Sequence, residues 1–142
     1  MKVLLLGSNG QVGFLLKNLF DDSVDLHAPK RNELDISNQD LVNKIVNKFK
    51  PDIIVNAAAY TAVDKAEIEA DSAFLVNSEG PKFLAKASYK NNAILIHLST
   101  DYVFSGDIKG EYTELDEVSP KSIYGKTKLE GENAIEKYCE KY

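Results

Sequence analysis

Tyr124 and Lys128 are the two side chains of this sequence best suited to chemistry. They stand four apart in Tyr124-Gly125-Lys126-Thr127-Lys128, in a stretch that reads as the start of a helix, so both lie on one helix face. A free phenol gives up its proton only near pH ~10, and a neighbouring ammonium favours the phenolate. The pair is therefore suited to exchange a proton with a carbonyl–alcohol couple. A surface contact without chemistry is the alternative that spacing alone leaves open. A second motif narrows the choice. Gly7-Ser8-Asn9-Gly10-Gln11-Val12-Gly13 has the form G-x-x-G-x-x-G, directly after an apolar run and at the opening of a helix. That is the context in which such a turn binds pyrophosphate. Gly7 permits the tight turn, Gly10 lets backbone approach the phosphates, and Gly13 allows close helix–strand packing. The free amides and dipole of the helix N-terminus then face the anion. The glycines by themselves are equally a plain strand–helix connection.

Three further segments fall at strand ends, where open α/β sheets bind ligands. An NAD site usually has an acid at the end of the second strand, but His27-Ala28-Pro29-Lys30-Arg31 has none. Lys30 and Arg31 are either ligands of a 2′-phosphate, which points to NADPH with NADH as the alternative, or solvated surface cations. His27 is read as an ordinary polar residue. Small residues in Val55-Asn56-Ala57-Ala58-Ala59 either leave room for a flat ligand or pack tightly on a helix. Ser99-Thr100-Asp101-Tyr102 places hydroxyls after the fourth strand, or simply caps a turn.

The elements that must hold these residues follow from periodicity. Residues 3–6 form a short, continuous apolar run, as in a buried parallel strand. Residues 11–20 place Val12, Leu15, Leu16 and Leu19 at helical spacing. Residues 24–28 read as a second strand. Ser37 reads as an N-cap, followed by the helical stripe Leu41, Ile45, Val46 and Phe49, which Pro51 stops. Residues 53–55 are a third strand. Residues 71–89 read as a long helix with Phe74, Leu75, Phe83, Leu84 and Ala87 inward, kinked or divided at Pro81. Residues 93–98 are a fourth strand, 99–121 a long polar loop, and 123–142 a last helix. Strands alternating with helices imply a parallel sheet with right-handed crossovers.

Composition sets the outer limits. With 142 residues, 44% hydrophobic and 27% charged, the chain suits one globular domain. A formal net charge of −5 with no long basic run disfavours nucleic acid or an anionic membrane as main partner. Cys139 is the only cysteine, so no internal disulfide forms and a reducing, cytoplasmic setting is expected. The apolar run before Gly7 is too short for a signal-peptide core, and no stretch is long enough to span a membrane.

Taken together, the glycine turn, Glu33-Leu34-Asp35-Ile36, the segment from Val55 through Asn56, Ala57, Tyr60 and Asp64 to Glu67, Ser99-Thr100-Asp101-Tyr102-Val103-Phe104, and the segment from Tyr124 to Glu132 resemble the extended short-chain dehydrogenase/reductase family. The resemblance covers nearly the whole chain, and within the family it leads to the reductases acting on dTDP-4-dehydrorhamnose. It implies a Rossmann-type, doubly wound parallel α/β sheet, with residues 1–142 forming an NAD(P)-binding domain truncated before the substrate-binding lobe. Family members run about twice as far and complete the second half of the sheet. The implied reaction is NAD(P)H-dependent reduction of a 4-keto sugar nucleotide to dTDP-L-rhamnose, with Thr100, Tyr124 and Lys128 as catalytic triad. Gly7, Asn9, Gly10, Gln11, Val12, Arg31 and Ser99 would bind the cofactor. Asp35 and Ile36 would border the adenine, Ala57, Ala58, Ala59 and Tyr60 would line the cofactor, and Lys128 would hold the ribose. Thr61, Val63, Thr100, Asp101 and Tyr102 would meet the sugar nucleotide. Tyr102, standing where sugar-nucleotide dehydratases carry an acid, favours reduction over dehydration. Leu15, where some relatives carry a magnesium-binding glutamate, implies no metal. The expected partner is a small-molecule sugar nucleotide, and a homodimer is one assembly left open. A non-catalytic regulatory subunit and a sugar-nucleotide epimerase are the competing readings, and this length of chain alone is expected to turn over weakly or not at all.

Overall fold

A computed structural model describes all of residues 1–142. Four parallel strands form one sheet: β1 (Lys2–Leu6), β2 (Asp25–His27), β3 (Ile53–Asn56) and β4 (Ile94–His97), in the order β2-β1-β3-β4. Val3 lies opposite Leu26 on one side and Ile53 on the other, and Ile53 lies opposite Ile94. The chain winds outward one way from β1 to β2 and the other way from β3 to β4. The winding therefore reverses between β1 and β3, and a cleft opens beyond their carboxyl ends. This is the parallel α/β architecture that the alternating pattern implies.

The larger core lies on one sheet face. There Leu4, Leu6, Ile54 and Leu95 meet Val42 and Val46 of α2 (Gln39–Phe49), Leu84 and Ala85 of α5 (Gly80–Asn91), and Ile135 of α6 (Ile123–Tyr138). The other face is thinner. Val3, Leu5 and Val55 are covered by Leu16, Phe20, Val24 and Leu26, with α1 (Gln11–Leu19) the helix on that side. The expected stripe on α1 is accordingly corrected. Leu16 packs on the sheet, but Val12, Leu15 and Leu19 are exposed, Leu19 at 79%. One short helix cannot bury its full apolar arc against a face of this width. Ile94 and Ile96 of β4 are exposed on the same grounds, while Leu95 between them is 1% exposed.

Other boundaries shift for identifiable reasons. Asn38, not Ser37, caps α2, accepting from the Leu41 amide at 3.1 Å. Ser37 instead donates its hydroxyl to Asp35. Lys50 closes α2 in the left-handed region with φ 51°, just ahead of Pro51. One short helix not expected from the sequence, α3 (Val63–Ala66), follows β3, and α4 (Ala70–Phe74) comes after it. The long helix expected over 71–89 is α4, a π-helical turn at Leu75–Glu79, and α5, with Pro81 in the first turn of α5. A π turn inserts an extra residue and rotates the faces that follow. Phe74 and Leu75, expected inward, are exposed at the entry to this turn, while Ala73, Asn77 and Ser78 are buried. The polar loop after β4 contains a 3-10 turn at Asp101–Val103. The last helix stops at Tyr138 rather than continuing to 142. The Lys141 carbonyl accepts from the Leu95 amide at 2.9 Å, so the tail lies along the outer edge of β4.

These packing differences predict contrasting truncations. Leu84→Ala should cost about 2–5 kcal/mol, the range for a fully buried leucine, whereas Leu19→Ala should stay within about 0.5 kcal/mol. Urea unfolding followed by circular dichroism measures both, and a large cost at Leu19 would contradict the exposure of α1.

Candidate active site

The cleft beyond β1 and β3 is a cavity of about 650 Å³. Its floor depends on a close backbone approach. The Ala57 amide donates to the Leu6 carbonyl at 3.0 Å, and Gly7 turns away from β1 with φ +76°. A Cβ on Gly7 would lie 2.5 Å from backbone atoms of Ala57 and Ala58. One on Gly13 would lie 2.1 Å from the Gly7 carbonyl oxygen. Only glycine satisfies both positions. With Gly10 as N-cap and no side chain capping the helix, the first-turn amides of α1 stay available at the cavity wall.

Most sequence-expected cofactor residues line this one cavity: Gly7, Asn9, Gly10, Gln11, Val12, Arg31, Asp35, Ile36, Ala57, Ala58, Ala59, Ser99, Tyr124 and Lys128, with Thr61 beside them. Ser8, Lys30, Leu34, Val76 and Leu98 complete much of the wall. Arg31 lies at the β2 side, where its Nε donates to Asp35 at 3.2 Å. Partial burial of Asp35 works to raise its pKa. Hydrogen bonds from Ser37 and the Arg31 charge outweigh that and hold the carboxyl below its usual range.

Tyr60, Val63, Thr100, Asp101 and Tyr102 fall outside the lining. Tyr60 is fixed through its backbone, which Asn77 bridges: its amide donates to Asn77 Oδ1 at 2.8 Å and its carbonyl accepts from Asn77 Nδ2 at 3.1 Å. The Tyr60 hydroxyl then donates to Glu69 at 2.7 Å, and that carboxylate pushes the phenol pKa up. Val63 begins α3. Thr100 takes the turn-capping role: Oγ1 accepts from the Tyr102 amide and donates to Asp101, both at 3.2 Å. The Tyr102 ring stands edge-on to the Tyr124 ring, with centroids 5.5 Å apart.

The start of α6 is positioned by three contacts. Ser122 caps it, accepting from the Gly125 amide at 3.0 Å, and Glu67 accepts from the Ile123 amide at 2.8 Å. Gly125 abuts the 3-10 turn so closely that a Cβ would lie 2.2 Å from the Tyr102 carbonyl oxygen. Asn77, only 1% exposed, also donates to Thr127 at 3.2 Å. It thus ties the segment after β3 to the turn of α6 between Tyr124 and Lys128. Asn77 was not singled out from sequence. The signal was there in Asn77-Ser78, a polar pair interrupting an apolar helical period. Lys128 is 2% exposed and donates to the Leu98 carbonyl, with its nitrogen 3.4 Å from His97 Nε2. The lysine nitrogen is thus held by β4 rather than by the Tyr124 hydroxyl. Buried polar groups need such partners.

Gly125→Ala should destabilise the fold by about 1–3 kcal/mol, because the extra methyl meets backbone rather than a yielding side chain. Gly106→Ala, where nothing lies within 4 Å but φ is +76°, should cost only about 1 kcal/mol. Thermal unfolding of the two variants tests whether α6 abuts the turn.

The sequence carries the same relationships that the geometry does. A model of the family described as RmlD substrate binding domain matches residues 1–142. The chain is 45% identical over 136 residues to a dTDP-4-dehydrorhamnose reductase of Aggregatibacter actinomycetemcomitans, covering 94% of this chain and 46% of that protein. It superposes on the crystal structure of a dTDP-4-dehydrorhamnose reductase from Clostridium acetobutylicum with a TM-score of 0.96 at 48% identity, over 100% of this chain and 51% of that one. A Bacillus anthracis dTDP-4-dehydrorhamnose reductase, solved in complex with NADP, gives a TM-score of 0.97 at 38% identity, over 99% and 50% of the two chains. The chain spans about half the length of the curated relatives it matches.

Proposed function

Because this chain belongs to the RmlD substrate binding domain family across residues 1–142, we propose that it is the cofactor-binding half of an NADPH-dependent reductase of the extended short-chain type, whose whole protein reduces the 4-keto group of dTDP-4-dehydro-L-rhamnose to dTDP-L-rhamnose. The observation that carries this reading is a single cavity in which the proton-bearing pair Tyr124 and Lys128 faces the glycine turn and Arg31. A dinucleotide suits such a cavity. One end offers uncapped helix amides and an arginine for phosphates, and the other a phenol and an amine.

In this reading the turn at Gly7 and Gly10 and the first-turn amides of α1 bind the pyrophosphate. Arg31 binds the 2′-phosphate, while Asp35 and Ile36 border the adenine. Lys128 hydrogen-bonds the nicotinamide ribose. When bound, NADPH supplies the hydride that reaches the keto carbon. Tyr124 gives its hydroxyl proton to the oxygen that gains charge as the carbonyl becomes an alcohol. Thr100 offers that oxygen a second hydrogen bond, for which its hydroxyl must leave the Asp101 carboxylate that it contacts at 3.2 Å. Tyr102 stands edge-on to the Tyr124 ring.

Binding and chemistry separate in the test. Titration with NADPH and NADH, followed by nicotinamide fluorescence, should favour NADPH, and Arg31→Ala should remove about tenfold of that preference. Tyr124→Phe should bind NADPH within about threefold of the parent, while turnover of the 4-keto sugar nucleotide by the whole protein falls by about 10²–10⁴. Failure to bind either dinucleotide, or undiminished turnover in Tyr124→Phe, would reject the proposal.

A further inference from the structure

Behind the cavity, three polar side chains from three elements meet in a row to which the proposed reaction assigns only its last member. Asn56 ends β3, His97 ends β4, and Lys128 comes from α6. Asn56 and Lys128 are 1% and 2% exposed, so each polar atom there must find a partner within the protein. The Asn56 amide fixes the arrangement of protons. Its Oδ1 accepts from the Ala58 amide at 3.1 Å, which leaves Nδ2 facing His97 Nδ1 at 3.0 Å. An amide nitrogen only donates, so Nδ1 accepts and the neutral ring carries its hydrogen on Nε2. That Nε2 lies 3.4 Å from Lys128 Nζ. An ammonium at this position sets donor against donor, whereas an amine can accept. The other partner of Lys128, the Leu98 carbonyl, is satisfied by either form.

We propose that Asn56 and His97 are a positioning pair for Lys128: Asn56 locks the His97 ring as its Nε2–H tautomer, and the ring presents the lysine nitrogen with a donor at the inner wall of the cavity. The groups facing Lys128 are His97 from β4, Asn56 through that ring, and Glu132 and Tyr124 from its own helix. Glu132 opposes the effect, since its carboxylate favours the ammonium, but it is also engaged by the Ser99 hydroxyl. Burial is the larger influence on both bases. It brings Lys128 down to about 8, and burial together with the Lys128 charge brings His97 down to about 3. A ring that stays neutral beside a lysine that titrates close to neutrality agrees with the proton arrangement drawn from the hydrogen bonds. The role of this lysine at the cofactor rests on the reductase reading; the tautomer and the titration do not.

Nitrogen-15 imidazole spectra of the full chain test the tautomer directly. His97 should show Nε2–H throughout the range from about pH 5 to 8, without protonating near its ordinary ~6.5. Titration of lysine carbons labelled at Cε should find Lys128 far below the other lysines. In His97→Gln, whose amide can turn its oxygen towards the ammonium, the Lys128 midpoint should rise by about one pH unit while the other lysines stay in place. An Nδ1–H tautomer, a ring that protonates near ~6.5, or an unmoved Lys128 midpoint in a folded His97→Gln would overturn the proposal. Because the tautomer is read on the unsubstituted chain, a variant that fails to fold leaves a decisive measurement. Since neither measurement requires cofactor or substrate, failure of the reductase reading would leave both outcomes unchanged.

Discussion

The backbone leaving β1 passes within contact of the backbone leaving β3, and the rest of the site is built on that approach. The Ala57 amide meets the Leu6 carbonyl, and Gly7 has no room for even a methyl group against Ala57 and Ala58. The winding of the sheet reverses at this point, so no helix crosses over it and a cleft remains. Small residues on both sides keep the cleft open down to the peptide planes. Gly13 then allows α1 to start directly above Gly7, which aims its free amides into the cleft.

The opposite wall is assembled with the same economy of side chains. α6 meets the 3-10 turn through Gly125 and the π turn through Gly131, where a Cβ would lie 2.2 Å and 2.3 Å from carbonyl oxygens of Tyr102 and Asn77 respectively. Helices that approach backbone this closely can only do so where a side chain is missing. The reward is position: Tyr124 faces the cavity, and Lys128 reaches a buried place beneath it. Desolvating an amine is costly, and the Leu98 carbonyl offsets part of that cost. The Asn77 amide joins the two walls by bonding Tyr60 on one side and Thr127 on the other. A π turn is rare in helices, and such turns are frequent at functional sites. Here it delivers Asn77.

The two faces of the sheet are unequal. One carries α2, α5 and α6 over a continuous core. The other carries the smaller core under α1, and Ile94 and Ile96 of β4 are exposed, as are Leu15 and Leu19 of α1. Apolar surface of that kind is favourable to cover. The site lies at the carboxyl end of the sheet, where Val12 of α1 and Leu98 after β4 belong to its wall.

Local patterns in the sequence decided a great deal. Continuous apolar runs and alternating periods marked the four strands and the parallel α/β order, because side-chain burial repeats with the geometry of each element. The glycine spacing marked the turn, and Tyr124 and Lys128 marked the opposite wall, since residues four apart share a helix face. Tertiary contacts decided the rest. Which face of α1 is covered depends on how much sheet lies beneath it, so Leu15 and Leu19 could not be placed from their spacing. Phe74 and Leu75 face outward while Asn77 is buried, because Asn77 has partners in two other segments, and neither is near it in sequence. Thr100 has the right residue type for a catalytic hydroxyl, yet the turn after β4 uses it as a cap. His97 shows no signal at all in one dimension. It gains significance only where β3, β4 and α6 meet, because the state of a buried base is set by the donors and acceptors around it.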